Sequence, residues 1–200
     1  MEQRTKSWFA DRLGKVTASR VADVIAKTKS GYSATRANYM AQLICERLTS
    51  KQAESYTNAD MERGVELEPI ARAMYEIQTN STVEEVGFIA HPSIAMTGAS
   101  PDGLVGEGLI EIKCPRSGSH LEYVLGGVVP EKYKPQMAWQ CLCTGRDWCD
   151  FVSYNQDFPE HLQLFVTRFT PDKAYLTMLE DEVKKFLNEL ELKLKQLEKL

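Results

Sequence analysis

Several features are scarce in this 200-residue chain. It has no apolar run approaching the roughly 18 residues of a membrane-spanning helix. Its opening, Met1-Glu2-Gln3-Arg4-Thr5-Lys6, lacks the apolar core of a secretory leader, so a cytosolic protein is expected. Histidine occurs three times, at His91, His120 and His161, each time alone. The five cysteines (Cys45, Cys114, Cys141, Cys143, Cys149) are odd in number and scattered. No second His or Cys pair complements Cys141-Leu142-Cys143 at the spacing of a tetrahedral zinc site, so reduced, packed thiols are expected. An excess of positive charge is also missing. The balance of 24 basic to 28 acidic residues gives −4, which argues against a protein that merely coats nucleic acid. A local basic path remains near the N-terminus, in Arg4, Lys6, Arg12, Lys15, Arg20, Lys27 and Lys29. Internal repeats and low-complexity tracts are absent.

What is present is an ordinary globular composition, 43% hydrophobic and 26% charged. The length suits one domain over residues 1–200, with a helical part at 1–80, a sheet-and-helix part at 81–170 and a final helix at 171–200. Thr17 and Ser19 are cap types ahead of a helix over 17–27, and a second helix is expected over 34–49. A polar loop should follow over 50–58. Helical periodicity then runs from Ala59 to about Gln78, with Pro69 expected to kink it or start a new segment. Short strands are expected at 83–90, 95–99 and 109–114, a helix at 132–143, strands at 150–154 and 162–169, and an amphipathic helix from Pro171 onward. The order predicts a mixed α/β fold with a central mixed sheet of about five strands flanked by helices.

The chemistry concentrates in Ser100-Pro101-Asp102-Gly103 and Leu109-Ile110-Glu111-Ile112-Lys113-Cys114-Pro115. Strand alternation sends Ile110 and Ile112 to the core and Glu111 and Lys113 to the opposite face, about 7 Å apart. Asp102 closes the preceding turn and can swing in beside Glu111. Two hard carboxylates, with the Ile112 carbonyl as a further donor, suit Mg²⁺ or Mn²⁺, which takes its remaining ligands from water and phosphate. Such a site can hydrolyse a phosphodiester. Lys113 then either positions or deprotonates water, or stabilises developing negative charge. The competing reading is a solvated strand face carrying a salt bridge.

Four segments in order resemble the phage-type alkaline exonucleases, the lambda-exonuclease and YqaJ-like viral recombinase group. They are Arg12-Leu13-Gly14-Lys15-Val16-Thr17-Ala18-Ser19, Arg63-Gly64-Val65-Glu66-Leu67-Glu68-Pro69-Ile70-Ala71-Arg72, the two stretches around Asp102 and Glu111, and Tyr133-Lys134-Pro135-Gln136-Met137-Ala138-Trp139-Gln140. The likeness spans roughly residues 8–155. It implies a restriction-endonuclease-like PD-(D/E)XK fold and a Mg²⁺-dependent 5′→3′ exonuclease on double-stranded DNA ends that leaves 3′ overhangs for phage recombination. Asp102, Glu111 and Lys113 match the metal-binding acids and catalytic lysine, Glu68 a helix glutamate near the metals, and Gln136 a glutamine near the scissile phosphate. Gln140 is a weaker neighbour on the same helix face. Arg12 and Ser19 match residues that hold the 5′-terminal phosphate. Lys29 stands where the family has an arginine, so the bidentate fork is lost there. The resemblance further implies a homotrimer encircling DNA and a single-strand annealing protein as partner, with the final helix offering a contact face. An endonuclease of the same fold and a non-catalytic DNA-end-binding module are the alternatives.

Overall fold

The structure, a computed structural model, describes residues 3–52 and 59–200. The loop expected over 50–58 falls outside the described residues from position 53 on. A first helix that periodicity did not reveal, α1 (Lys6–Arg12), is capped by Thr5, whose hydroxyl accepts the Trp8 N–H at 3.3 Å. The helix expected over 17–27 starts late. Val16–Thr17 is drawn out as β1, Ala18–Arg20 forms a 3₁₀ turn, and α2 covers only Val21–Ile25, so neither Thr17 nor Ser19 caps it. The cause is tertiary, because β1 pairs in parallel with β5 (Thr97–Ala99) and extended backbone cannot also be helical. A small hairpin of β2 (Lys27–Thr28) and β3 (Gly31–Tyr32) leads to α3 (Ala34–Thr49), placed as expected.

Helix α4 (Ala59–Thr79) runs through Pro69 as one element, not two. Proline costs one intrahelical hydrogen bond, and burial of Leu67, Ala71 and Tyr75 against the sheet outweighs it. The sheet that receives α4 has the order β6 (Gly103–Val105), β7 (Gly108–Lys113), β8 (Trp148–Tyr154), β9 (Leu164–Phe169). Only β7 and β8 run parallel, and the crossover between them carries α5 (Ser117–Gly126) and α6 (Lys134–Thr144). The mixed α/β class is as expected, while the sheet differs in detail. The central sheet has four strands. The stretch 83–90 adds a single bridge, Glu84 to Leu104, and its end, β4 (Ile89–Ala90), joins β1 and β5 in a separate three-stranded sheet.

Period-2 alternation along β7 holds. Ile110 and Ile112 pack with Val152 and Tyr154 under α4, while Leu109 packs with Phe151 under Met137 and Cys141 of α6. Helix α7 (Lys173–Leu197) is not an appendage, because Leu179, Val183, Phe186, Leu187 and Leu190 join α2, α3 and Trp139 in the largest core cluster. Trp139 is fully buried, and its Nε1 donates to Thr97 Oγ1 at 3.1 Å, tying α6 to β5.

His91 stacks on Trp139 at 5.1 Å, its Nδ1 accepting the N–H groups of Ser93 and Ile94. Burial lowers its pKa, with Glu180 opposing and Lys184 assisting. The folded state therefore binds fewer protons than the unfolded chain as pH falls through about 6.5, and stability drops there. Denaturant unfolding about one pH unit either side of that value should show the loss in the parent protein and a flatter dependence in His91→Asn. An equal dependence in both would assign the loss elsewhere.

Candidate active site

Site construction begins with the β6–β7 hairpin. Its turn is Gly106-Glu107, and not the Ser100–Gly103 stretch that the sequence suggested. Gly103 serves close packing instead, since a Cβ there would lie 2.1 Å from Val83 Cγ1. Gly103 pairs with Ile110, and one step further along that register Asp102 faces Glu111. Asp102 Oδ2 accepts the Ile112 N–H at 2.7 Å, which fixes the carboxylate at the strand edge.

Glu111 is 1% exposed, which overturns the reading of a solvated strand face. It lies on the α6 side of the sheet. Gln136 Nε2 donates to its Oε1 and Gln140 Nε2 to its Oε2, each at 2.6 Å. Lys113 Nζ also donates to Oε1, so the two long side chains close the separation expected from the strand rise. Gln140 is itself braced by Cys149, whose thiol contacts Gln140 Oε1 at 3.8 Å. A buried carboxylate is tolerated here because each oxygen has a donor and one donor is charged.

Electrostatics at this edge are crowded. Burial, and then the carboxylates of Glu111 and Glu68, push Asp102 well above the usual carboxylate range, against Lys113 and the Ile112 N–H. Burial alone would lower Lys113, but Glu111 and Asp102 outweigh it and hold the ammonium above its ordinary value. The Cys114 thiol is pushed up to about 12 by burial and by Glu68 and Asp102, which keeps it protonated and inert.

One open cavity of about 650 Å³ gathers most of the residues that sequence reasoning selected. Arg12, Ser19, Glu68, Asp102, Glu111, Ile112, Lys113 and Gln136 all line it. Lys29 does not. It lies exposed at the tip of the β2–β3 hairpin, whose Lys27 and Tyr32 are bonded to Glu182 of α7. Of the basic path expected near the N-terminus, Arg4 and Arg12 reach the cavity, while Arg20 is paired with Asp23. Arg12 Nη1 and Trp8 Nε1 both donate to Ser100 Oγ, at 3.1 and 2.9 Å, and the guanidinium lies 4.2 Å over the Trp8 ring. Trp8 precedes Arg12 by one helical turn, an i, i+4 signal available in the sequence. Gln3, Arg4, Lys132 and Tyr133 also line the cavity, and nothing local announced Gln3 as a site residue.

The donor set fits an open cation site. Asp102 and Glu111 supply hard oxygens and Ile112 a carbonyl nearby, a set suited to an ion that takes one or two carboxylates and keeps its waters. A closed cage is not formed, since no group of three His, Cys, Asp or Glu side chains converges at ligand distances among the described residues. Glu68 stands beside the site, accepting from Arg72 at 2.7 Å on one oxygen and from Arg4 at 2.5 Å on the other.

Residues 7–147 match the sequence profile of the YqaJ-like viral recombinase domain. Among solved structures, an alkaline exonuclease (LHK-Exo) from Laribacter hongkongensis is 54% identical, with a TM-score of 0.91 over 98% of this chain and 97% of that chain. The LHK-Exo complex with dAMP gives a TM-score of 0.92 at the same identity and coverage. A phage related exonuclease from Haemophilus somnus 129PT, 17% identical over 92% of this chain and 94% of that chain, shares the fold with a TM-score of 0.68. No curated relative matches. The profile match over most of the chain, and a relative of the same fold along nearly its whole length, make this protein a member of the YqaJ-like viral recombinase domain family.

Proposed function

We propose that this chain is a Mg²⁺-dependent 5′→3′ exonuclease. It digests one strand of linear double-stranded DNA and leaves 3′ single-stranded overhangs for phage recombination by strand annealing. An enzyme of the nuclease class follows from the family and from the 54% identical alkaline exonuclease. The observation that carries the finer reading is the convergence of Asp102, Glu111 and Lys113 at one edge of one cavity, with Gln136 and Gln140 fixing Glu111 from α6.

Asp102, Glu111 and the Ile112 carbonyl would hold the divalent cation, Mg²⁺ or in its place Mn²⁺. When bound, that ion supplies Lewis-acid neutralisation of phosphate charge and lowers the pKa of water. The chain's own groups do the rest. Lys113 keeps a charged donor beside the position a phosphate would take. Gln136, part-exposed on the cavity wall, orients Glu111 and faces incoming substrate. Arg12 and Ser19, lining the same cavity, offer a guanidinium and a hydroxyl to a 5′-terminal phosphate. The proposal takes residues 1–200 as one nuclease domain working in the bacterial host cytoplasm, encoded by a phage or prophage. No helix among the described residues is long and apolar enough to cross a membrane. It also takes the assembly as a ring of three around duplex DNA, working with a single-strand annealing protein, with the exposed Leu192 and Leu197 of α7 available to a neighbour.

Nucleotide release from 5′-phosphorylated linear duplex, compared with covalently closed circular DNA, tests the reading. Release should require Mg²⁺, occur only on the linear form and slow on 5′-hydroxyl ends. Cutting of circles would favour an endonuclease, and no release at all would leave an end-binding module. Mass in solution checks the trimer.

A further inference from the structure

We propose that Arg4 is a phosphate-binding residue, resting on Glu68 in the free protein and transferring to a phosphate of the DNA strand that enters the cavity. This rests on the nuclease reading of the site, and it adds a DNA contact from the N-terminal arm.

The arm is anchored at the catalytic edge. Gln3 Nε2 donates to the carbonyls of Val86 (2.9 Å) and Pro101 (2.8 Å), and Pro101 adjoins Asp102. Arg4 then adopts φ 64°, a left-handed conformation uncommon outside glycine, and its Nη2 reaches Glu68 Oε2 at 2.5 Å. Glu68 does not depend on Arg4 for compensation. Arg72, far more buried, already donates to its other oxygen and also pairs with Glu85 at 3.1 Å. Arg4 has a side chain 44% exposed within a cavity that also holds Asp102, Glu111 and Lys113, so leaving Glu68 exposes little and desolvates nothing. A guanidinium suits the planar, bidentate demand of a phosphate better than the single-oxygen contact it makes here. Arg12 is differently placed, stacked on Trp8 and bonded to Ser100. Positive charge arriving beside Asp102 and Glu111 weakens the hold of Glu68 on Arg4, so the transfer is favoured when the site is loaded.

The test is duplex binding in a Lys113→Ala background, where digestion is stopped. The probe is a short blunt duplex carrying a 5′-phosphate or a 5′-hydroxyl, titrated across salt concentrations with Mg²⁺ and with chelator. Arg4→Ala should weaken binding about tenfold in Mg²⁺ and less in chelator, and make the salt dependence shallower by about one phosphate contact. Arg4→Lys should keep the steeper slope. Loss on both probes assigns Arg4 to an internal phosphodiester, and loss on the 5′-phosphate probe alone assigns it to the terminal phosphate. An unchanged slope in Arg4→Ala overturns the proposal, whatever happens to affinity, because a residue that only positions Glu68 releases no counterion. If the background protein binds no duplex at all, the nuclease reading fails instead.

Discussion

Lys113→Ala should cut nucleotide release from linear duplex by about 10³-fold, the scale of losing one charged group from the site of phosphate chemistry. The argument is geometric. Lys113 ends β7 at the cavity, reaches back to Glu111 Oε1, and lies 5.1 Å from the Tyr133 ring, so its ammonium is held from two directions. Removing it leaves Glu111 with its two glutamine donors but no cationic one. The fold should weaken by about 1–3 kcal/mol on that account and persist. Thermal melting separates the two effects. A folded variant that still digests DNA at the parent rate would remove Lys113 from the mechanism.

Asp102→Asn should act in opposite senses on activity and stability. Digestion should fall by at least about 10²-fold because a ligand of the proposed cation is lost. Melting without metal should rise, by about 1–2 kcal/mol in stability, as at other sites where function rather than the fold selects the residue. The asparagine carbonyl can still accept the Ile112 N–H, so the bond at 2.7 Å is kept while a charge crowded by Glu111 and Glu68 disappears. Mg²⁺ should raise the melting point of the parent, by up to about 2.7 kcal/mol of stability at a hundredfold excess over its Kd, and leave the variant unmoved. Equal stabilisation of both proteins by Mg²⁺ would place the cation elsewhere.

The convergence of Asp102, Glu111 and Lys113 was legible because its geometry is local. Alternation in Gly108–Lys113 sends Glu111 and Lys113 to one face whatever the rest of the chain does, and Asp102 needs only a short antiparallel return to face Glu111. The α3 boundaries and the stop of α6 at Gly145, with φ 68°, were equally local. Helix α1 was missed because it is short and has no fully buried residue, and α5 because only His120 and Tyr123 are buried. Thr17 misled for the reverse reason, since its good cap chemistry was overridden by pairing with a strand eighty residues away.

The sequence by itself determined which side chains of β7 share a face and where α3 and α6 stop, because those follow from backbone period and side-chain chemistry. Only the tertiary structure decided that Glu111 is buried under two glutamines of α6, that Trp139 is core, that Lys29 lies away from the cavity and that Arg4 reaches Glu68 across 64 positions. Such contacts depend on how separate elements dock, and a local period carries no information about which distant element will cover a given face.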